Sequence, residues 1–163
     1  MLEKWMHSHR DRALFFIRIC LGIIFFAHGS QKLLGWYGGS GIQGTMTMFT
    51  QMGIWQPELT AWLVAGIEFF GGVALILGFF TREFAVLIIL VMAGAIKTVH
   101  WKNGLFAQNG GFEYNLLIIM ACLGLLFGGG GTWSVDRVLF PKERWRFVDP
   151  SSVRLEPPSD ILD

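Results

Sequence analysis

The chain has 163 residues, of which 53% are hydrophobic and only 15% are charged. Its 13 basic residues nearly balance its 12 acidic residues, and it has no basic stripe interleaved with aromatic residues, so the composition excludes a nucleic-acid-binding protein. The hydrophobic excess is larger than one small soluble core uses, and it is arranged in blocks rather than in amphipathic stripes. These features predict an integral membrane protein whose first partner is the lipid bilayer.

Four apolar blocks predict four transmembrane helices. In chain order they cover residues 13–34, 61–80, 84–99 and 114–127. Crossing about 30 Å of hydrocarbon takes roughly 20 helical residues, so the last two blocks are short unless His100 and Phe112 extend them. Every face of these segments is apolar, which disfavours a soluble bundle. The first block is longer than a signal-peptide core and lacks a clear A-x-A site. The fold predicted is all-α, an integral membrane bundle of four transmembrane helices.

The positions of lysine and arginine predict the orientation. The two tails and the turn between the second and third blocks carry nine basic residues: Lys4, Arg10, Arg12, Arg82, Arg137, Lys142, Arg144, Arg146 and Arg154. The opposite loops carry only Lys32 and Lys102, with Lys97 near the end of its helix. Positive residues favour the cytoplasmic side, so both termini are predicted to be cytoplasmic. Residues 1–140 form one transmembrane domain, and the polar, proline-containing residues 141–163 are predicted to be a cytoplasmic tail of low order.

Three charged residues lie inside the apolar blocks. A charge at mid-bilayer costs about 2.5 to 3.5 kcal/mol, so Arg18, Glu68 and Lys97 each need a partner, water or a function. For Arg18, the simplest solution is that its long side chain extends until the guanidinium reaches the cytoplasmic surface of the membrane. Helical phase places Arg18 and Glu68 on the stripes of their helices that also carry glycine, and glycine faces are those at which membrane helices pack. The charges are therefore expected to point into the bundle.

The rise of about 1.5 Å per residue places Glu68 at the same depth as His28 and Lys97, with Lys32 and His100 up to about 6 Å further out. This layer predicts a polar pocket in the outer half of the bundle. Glu68 could pair there with Lys97, Arg18 or His28 to fix the register of the helices. It could equally bind a ligand or handle a proton.

Two connecting segments are expected to form the rim of this pocket. Residues 44–54, "GTMTMFTQMGI", are amphipathic, with Met48, Met52 and Phe49 on one side. They predict a short interfacial or re-entrant helix that either covers the pocket or packs on the membrane surface. Residues 100–115 supply further hydrogen-bonding side chains, among them Asn109 and Glu113. The candidate ligand-binding or proton-handling residues are therefore His28, Lys32, Glu68, Lys97, His100, Asn109 and Glu113.

Other chemistries lack the residues that they need. Cys20 and Cys122 lie on different predicted helices without a C-x-x-C motif, so a membrane dithiol oxidase is disfavoured and both are interpreted as small core residues. His7 and His9 have no acidic or cysteine neighbour, and no metal site is predicted. The sequence encodes no motif for a bound redox cofactor and identifies no catalytic residue. Any redox role would need a quinone or a partner subunit to take electrons.

Three segments resemble the DoxX family of small bacterial four-helix membrane proteins. They are "HGSQKLLGWYGGSG" (28–41), "GIEFFGGVALILGFFTR" (66–82) and "NGGFEYN" (109–115). The resemblance implies a bundle in the bacterial inner membrane and an association with quinone-linked thiosulfate oxidation, quinone or catechol resistance, or redox-stress complexes. The expected function is a quinone-associated redox subunit. The alternative is a non-catalytic membrane module that stabilises a partner complex or binds a small hydrophobic molecule.

Overall fold

A computed structural model describes residues 2–131 and 133–140, with side chains from Arg12 onward. It contains six α-helices over these ranges and no strand, which confirms the all-α prediction. The helices are α1 (Leu2–Leu33), α2 (Gly41–Gln51), α3 (Pro57–Leu77), α4 (Thr81–Ala95), α5 (Glu113–Gly128) and α6 (Val135–Leu139). The predicted tail at 141–163 lies outside the described residues, as do the side chains of His7 and His9.

The predicted membrane spans correspond to α1, α3, α4 and α5. Within the described ranges, three helical segments are long and apolar enough to cross a membrane: Arg12–Leu33, Pro57–Leu77 and Thr81–Asn103. The third reaches that length because a π-helical turn, Ile96–His100, and a 3₁₀ turn continue α4. α5 is apolar but has only 16 residues, so it is about 24 Å long. The bundle thus has three full-length spans and one short apolar helix.

Glycines bring α1 and α3 into close contact. α1 packs most extensively on α3, and α4 packs on α5. A Cβ atom on Gly29 would overlap the backbone of Glu68 and Phe69, and a Cβ atom on Gly72 would overlap the backbone of Phe26. Small residues allow membrane helices to approach this closely. The glycine faces of both helices are packed, as predicted, and the structure shows that they pack against each other.

The apolar core lies between the α1–α3 pair and the α4–α5 pair. Its buried residues come from all four helices and include Leu21, Phe25, Leu75, Ile88, Met92, Cys122 and Leu125. Cys122 is a small core residue, as expected. Cys20 is exposed, so the prediction that it lies in the core is wrong. It lies on the side of α1 that faces away from the glycine stripe.

Arg18 fixes the end of the bundle opposite Lys32. Its guanidinium donates hydrogen bonds to the carbonyl oxygens of Leu75 (2.8 Å), Ile76 (3.0 Å) and Trp133 (2.6 Å). The first two carbonyls belong to the last turn of α3, and that of Leu75 also accepts the backbone N–H of Gly78 at 3.3 Å. Arg18 is 1% exposed. The simplest expectation from the sequence, that its side chain extends to the membrane surface, is therefore wrong. Arg18 joins α1, α3 and the segment after α5.

Asp136 completes this end of the bundle. Its two carboxylate oxygens accept hydrogen bonds from the backbone N–H groups of Phe80 (2.7 Å) and Thr81 (3.0 Å). These groups lie at the start of α4, where backbone donors lack helical acceptors and a negative charge is favourable. The backbone N–H of Asp136 in turn donates to the carbonyl of Gly78. The α3–α4 turn is thereby tied to α6.

α2 packs against α1 and α3 at the other end of the bundle. Thr45 and Phe49 are buried, whereas Met48 and Met52 are 37% and 46% exposed. The short helix predicted from residues 44–54 is therefore present as α2. Phe49 is buried against the bundle, whereas Met48 and Met52, on the same side of the helix, remain partly exposed.

Candidate functional site

A buried ion pair joins α1 to α3. Lys32 Nζ lies 2.5 Å from Glu68 Oε1 and 2.6 Å from Oε2, so the ammonium donates to both carboxylate oxygens. The side chain of Glu68 is 3% exposed, whereas that of Lys32 is 28% exposed. The carboxylate is thus shielded by its surroundings, whereas the lysine side chain remains partly accessible.

The α1–α3 crossing positions both partners. Gly29 contacts the backbone of Glu68, and Lys32 follows one helical turn later on the same side of α1. The Cα–Cβ bond of a helical residue tilts toward the N-terminus, so the Lys32 side chain can extend back along α1 to the depth of Glu68. This reach explains how a lysine placed further out by residue counting becomes the partner of a deeper carboxylate.

The partner of Glu68 differs from the predicted ones. Arg18 is occupied at the opposite end of the bundle, and His28 and Lys97 are exposed. Neither His28 nor Lys97 makes a hydrogen bond or ion pair with another described side chain. Lys97 lies in the π-helical turn that continues α4, and its side chain is exposed.

The remaining predicted site residues belong to the loop between α4 and α5. His100 Nδ1 lies 2.7 Å from the carbonyl oxygen of Gly110; since a carbonyl only accepts, Nδ1 carries the proton. Glu113 Oε1 accepts from the backbone N–H of Ala107 at 2.8 Å. Asn109 is exposed and uses its backbone N–H to hold the loop. These three residues organise their own loop, and their hydrogen bonds within residues 100–113 do not reach the Lys32–Glu68 pair.

Two polar residues of the interior were missed by sequence reasoning. Thr45 is 1% exposed, and its hydroxyl contacts the carbonyl oxygens of Gly41 (2.9 Å) and Lys32 (3.1 Å). Asn115 is 8% exposed, and its amide nitrogen lies 3.4 Å from the sulfur of Met92. The spacing of Thr45 and Phe49 on one helical stripe could have identified the first. Asn115 was grouped with the loop, although it lies in the first turn of α5.

The site can accept and donate hydrogen bonds but offers no metal geometry. Among the side chains that the structure describes, from Arg12 to Phe140 without residue 132, no group of three or more His, Cys, Asp or Glu converges as a metal site requires. A carboxylate shielded from water can hold or release a proton, and an ammonium beside it can donate to a carbonyl oxygen. Both groups occur at one point of the α1–α3 interface, at the end of the bundle opposite Arg18.

Apolar spans packed around this ion pair define a small multi-pass helical membrane protein. The pattern of the DoxX family matches residues 13–101, a range that contains both Lys32 and Glu68. The chain belongs to the DoxX family, which confirms the resemblance found in its sequence motifs.

Relatives of similar length support the assignment. The "Putative oxidoreductase CatD" of Bacillus subtilis (strain 168) is 38% identical over 124 residues, 76% of this chain and 84% of the relative. The "Inner membrane protein YqjF" of Escherichia coli (strain K12) is 32% identical over 141 residues, 84% of this chain and 99% of the relative. The "Inner membrane protein YphA" of the same strain is 30% identical over 133 residues, 78% of this chain and 91% of the relative. No solved structure matches the chain.

Proposed function

We propose that this protein is an inner-membrane redox subunit that binds a quinone at the Lys32–Glu68 pair. The observation that carries the proposal is a carboxylate shielded from solvent whose two oxygens are both held by one partly exposed lysine. A polar pair of this kind inside a membrane bundle is costly and commonly functional. The name of the B. subtilis relative contains the word "oxidoreductase", which agrees with this class. The E. coli relatives are named inner membrane proteins, which agrees with this location.

The residues of the pair fit a ligand with a carbonyl group and an apolar ring. The Lys32 ammonium can donate a hydrogen bond to a carbonyl oxygen, and the Glu68 carboxyl can pass on a proton. Phe69, next to Glu68, and Phe26 place their ring centroids 5.3 Å apart at the α1–α3 crossing, which supplies aromatic surface beside the polar groups. Quinone reduction takes up electrons and protons together. In this proposal a partner subunit supplies the electrons and Glu68 the proton route.

We propose further that both termini are cytoplasmic, which places the pair in the outer half of the membrane. The Arg18 bond to the carbonyl of Trp133 brings the first half of the α1 span and the segment after α5 to one end of the bundle. Arg82, in the first turn of α4, lies at that same end. In the sequence, the two tails and the turn between α3 and α4 carry nine of the 13 basic residues, and such residues favour the cytoplasmic side.

A non-catalytic membrane module is the second candidate. It is favoured by the completeness of the ion pair and by its place beside Gly29, at a crossing that has no room for a Cβ atom. In that case Lys32 and Glu68 fix the register of α1 and α3, and the protein stabilises a partner complex or holds a small hydrophobic molecule. This role requires that the Lys32–Glu68 ion pair stay intact while the protein functions.

Quinone binding by purified protein distinguishes the two candidates. The full chain is purified in mild detergent, and bound quinones are extracted and identified by mass spectrometry. Binding of an added short-chain benzoquinone is then measured by calorimetry. Lys32→Met removes the ammonium that donates to the quinone carbonyl and should lose binding, whereas Lys97→Met, the same change at an exposed lysine, serves as the matched control. Absence of bound or titratable quinone in the wild type would contradict the redox proposal and favour the structural module.

A further inference from the structure

Thr45 connects α2 to the residue that binds Glu68. Its hydroxyl lies 3.1 Å from the carbonyl oxygen of Lys32 and 2.9 Å from that of Gly41 in α2 itself, and the residue is 1% exposed. The single hydroxyl proton is shared between these two acceptors. Lys32 is in the last turn of α1, where carbonyl groups have no partner within the helix. A side chain from α2 therefore satisfies the backbone of the same residue whose ammonium holds the buried carboxylate. Displacement of α2 would remove that hydrogen bond and loosen the end of α1.

Few side chains attach α2 to the bundle. Only Thr45 and Phe49 are buried among its 11 residues. The other threonines of the helix, Thr47 and Thr50, are exposed and bond to carbonyls of α2 itself. A segment with little buried surface is among the first to separate from a folded protein. Thr45 and Phe49 are therefore the buried anchors of α2, and Thr45 adds the hydrogen bond to Lys32.

Both ends of α2 carry backbone conformations typical of hinges. Gly38 (φ 76°) precedes the helix and Gly53 (φ 67°) follows it, and a Cβ atom at either position would meet nothing within 4 Å. Open space at these glycines indicates that their conformation, rather than packing, requires glycine. Tyr37 (φ 53°) and Gln56 (φ 44°) adopt the same left-handed region without being glycine. Such positions absorb the dihedral changes that let a segment move as a unit.

We infer that α2 is a gate over the Lys32–Glu68 pair and that Thr45 is the positioning residue that keeps it closed. With α2 docked, Lys32 is held at its carbonyl by Thr45 and at its ammonium by Glu68. With α2 displaced, the last turn of α1 is released and Glu68 becomes accessible to an apolar molecule from the membrane. The use of this gate for a quinone rests on the proposed function; the gate itself rests on the contacts of α2.

A hydrophobic carbodiimide tests the gate directly. The reagent enters membranes and modifies protonated carboxyl groups, and peptide mass spectrometry measures the labelling rate of Glu68 in the full chain in lipid nanodiscs. Thr45→Val removes the hydroxyl and keeps the shape, so the rate should rise about two- to tenfold, the shift expected from losing one hydrogen bond. Thr45→Ser keeps the hydroxyl and should restore the wild-type rate. Thr47→Val, the matched change on the exposed face, should leave the rate unchanged.

A second variant keeps the test decisive if Thr45→Val folds poorly. Gly53→Ala strains the positive φ of the hinge without touching the pair, and it should also raise labelling of Glu68. Wild-type labelling rates in both Thr45→Val and Gly53→Ala would overturn the gate. The Glu68→Gln variant defines the background, because it has no carboxyl group at this position.

The same labelling separates the gate from the proposed function. A short-chain benzoquinone at the pair should slow the reaction of wild-type Glu68. If the rate depends on Thr45 but the quinone gives no protection, the gate stands and the quinone proposal fails. If the quinone protects but neither α2 variant changes the rate, the binding site stands and the gate fails.

Discussion

Lys32 and Glu68 lie 36 positions apart in the chain, yet one ammonium group contacts both oxygens of one carboxylate at 2.5 and 2.6 Å. The approach of α1 to α3 at Gly29 makes this contact possible, and Thr45 of α2 completes the surroundings of Lys32. Three helices therefore meet at one polar point. The consequences for stability, packing and orientation can each be measured.

Removal of the Glu68 charge should destabilise the protein through Lys32. Glu68→Gln leaves the ammonium without its carboxylate, and the loss should be about 1.5 to 3 kcal/mol, the range for hydrogen bonds to charged groups, since Lys32 can still reach solvent. The double variant Glu68→Gln, Lys32→Met should recover part of the loss because the orphan cation is gone. Thermal size-exclusion in detergent measures the folded fraction.

Lys97 provides the control for that coupling. Glu68→Gln, Lys97→Met should be no more stable than Glu68→Gln alone, because Lys97 is exposed and does not contact Glu68. Recovery by Lys97→Met that equals recovery by Lys32→Met would contradict the assigned pair.

Loss of Arg18 should damage the opposite end of the bundle. Arg18→Leu removes the donor from three carbonyl oxygens, two of them in the last turn of α3, so stability should fall by more than about 3 kcal/mol at roughly 1 kcal/mol or more for each acceptor. Arg18→Lys should recover only part of this, because one ammonium cannot reproduce the fork of the guanidinium. The unfolding midpoint in detergent reports both effects, and an Arg18→Leu midpoint equal to that of the wild type would rule out the capping role.

The loss at Asp136 should be smaller and confined to the start of α4. Asp136→Ala removes the acceptor for the N–H groups of Phe80 and Thr81, and loss of a helix cap costs about 0.5 to 2 kcal/mol. Hydrogen exchange should increase at these two amides and remain unchanged in α2. Equal protection of Phe80 and Thr81 in the variant and the wild type would show that the carboxylate does not cap α4.

The α1–α3 crossing should not tolerate a methyl group. Gly29→Ala places a Cβ atom against the backbone of Phe69, which cannot move aside as a flexible side chain could. The cost should be about 1 to 3 kcal/mol, as for overpacking elsewhere. Gly66→Ala, in α3 where a Cβ meets nothing within 4 Å, is the matched control and should be neutral or slightly stabilising. A midpoint for Gly29→Ala as high as that of Gly66→Ala would refute the close approach.

Reporter fusions should establish the orientation. A reporter active only in the periplasm should give no signal when fused after Asp163, since the basic residues lie at the end of the bundle that carries the segment after α5. The same reporter fused after Gly104, in the loop between α4 and α5, should be active. The reverse pair of results would invert the topology and place the Lys32–Glu68 pair in the inner half of the membrane.

Hydropathy and helical phase predict the spans and the packed glycine faces of α1 and α3 from the sequence because both depend on regular helix geometry. The third block is long enough to span only if it extends through His100, and the structure shows that extension. The motif at 28–41 also indicated the DoxX family. These features depend on residues that are close in sequence, and the regular geometry of a helix fixes the spacing between such residues.

Tertiary structure alone decided which groups meet. Residue counting places Lys97 at the depth of Glu68, but the Lys97 side chain is exposed, whereas the Lys32 side chain extends back along α1 and reaches the carboxylate. The bond from Thr45 to Lys32 and the caps made by Arg18 and Asp136 depend on how separate segments pack and where their side chains extend. The order of residues determined the helices and their faces, whereas the partner of each buried charge was set by side-chain direction and by the distance at which the helices cross.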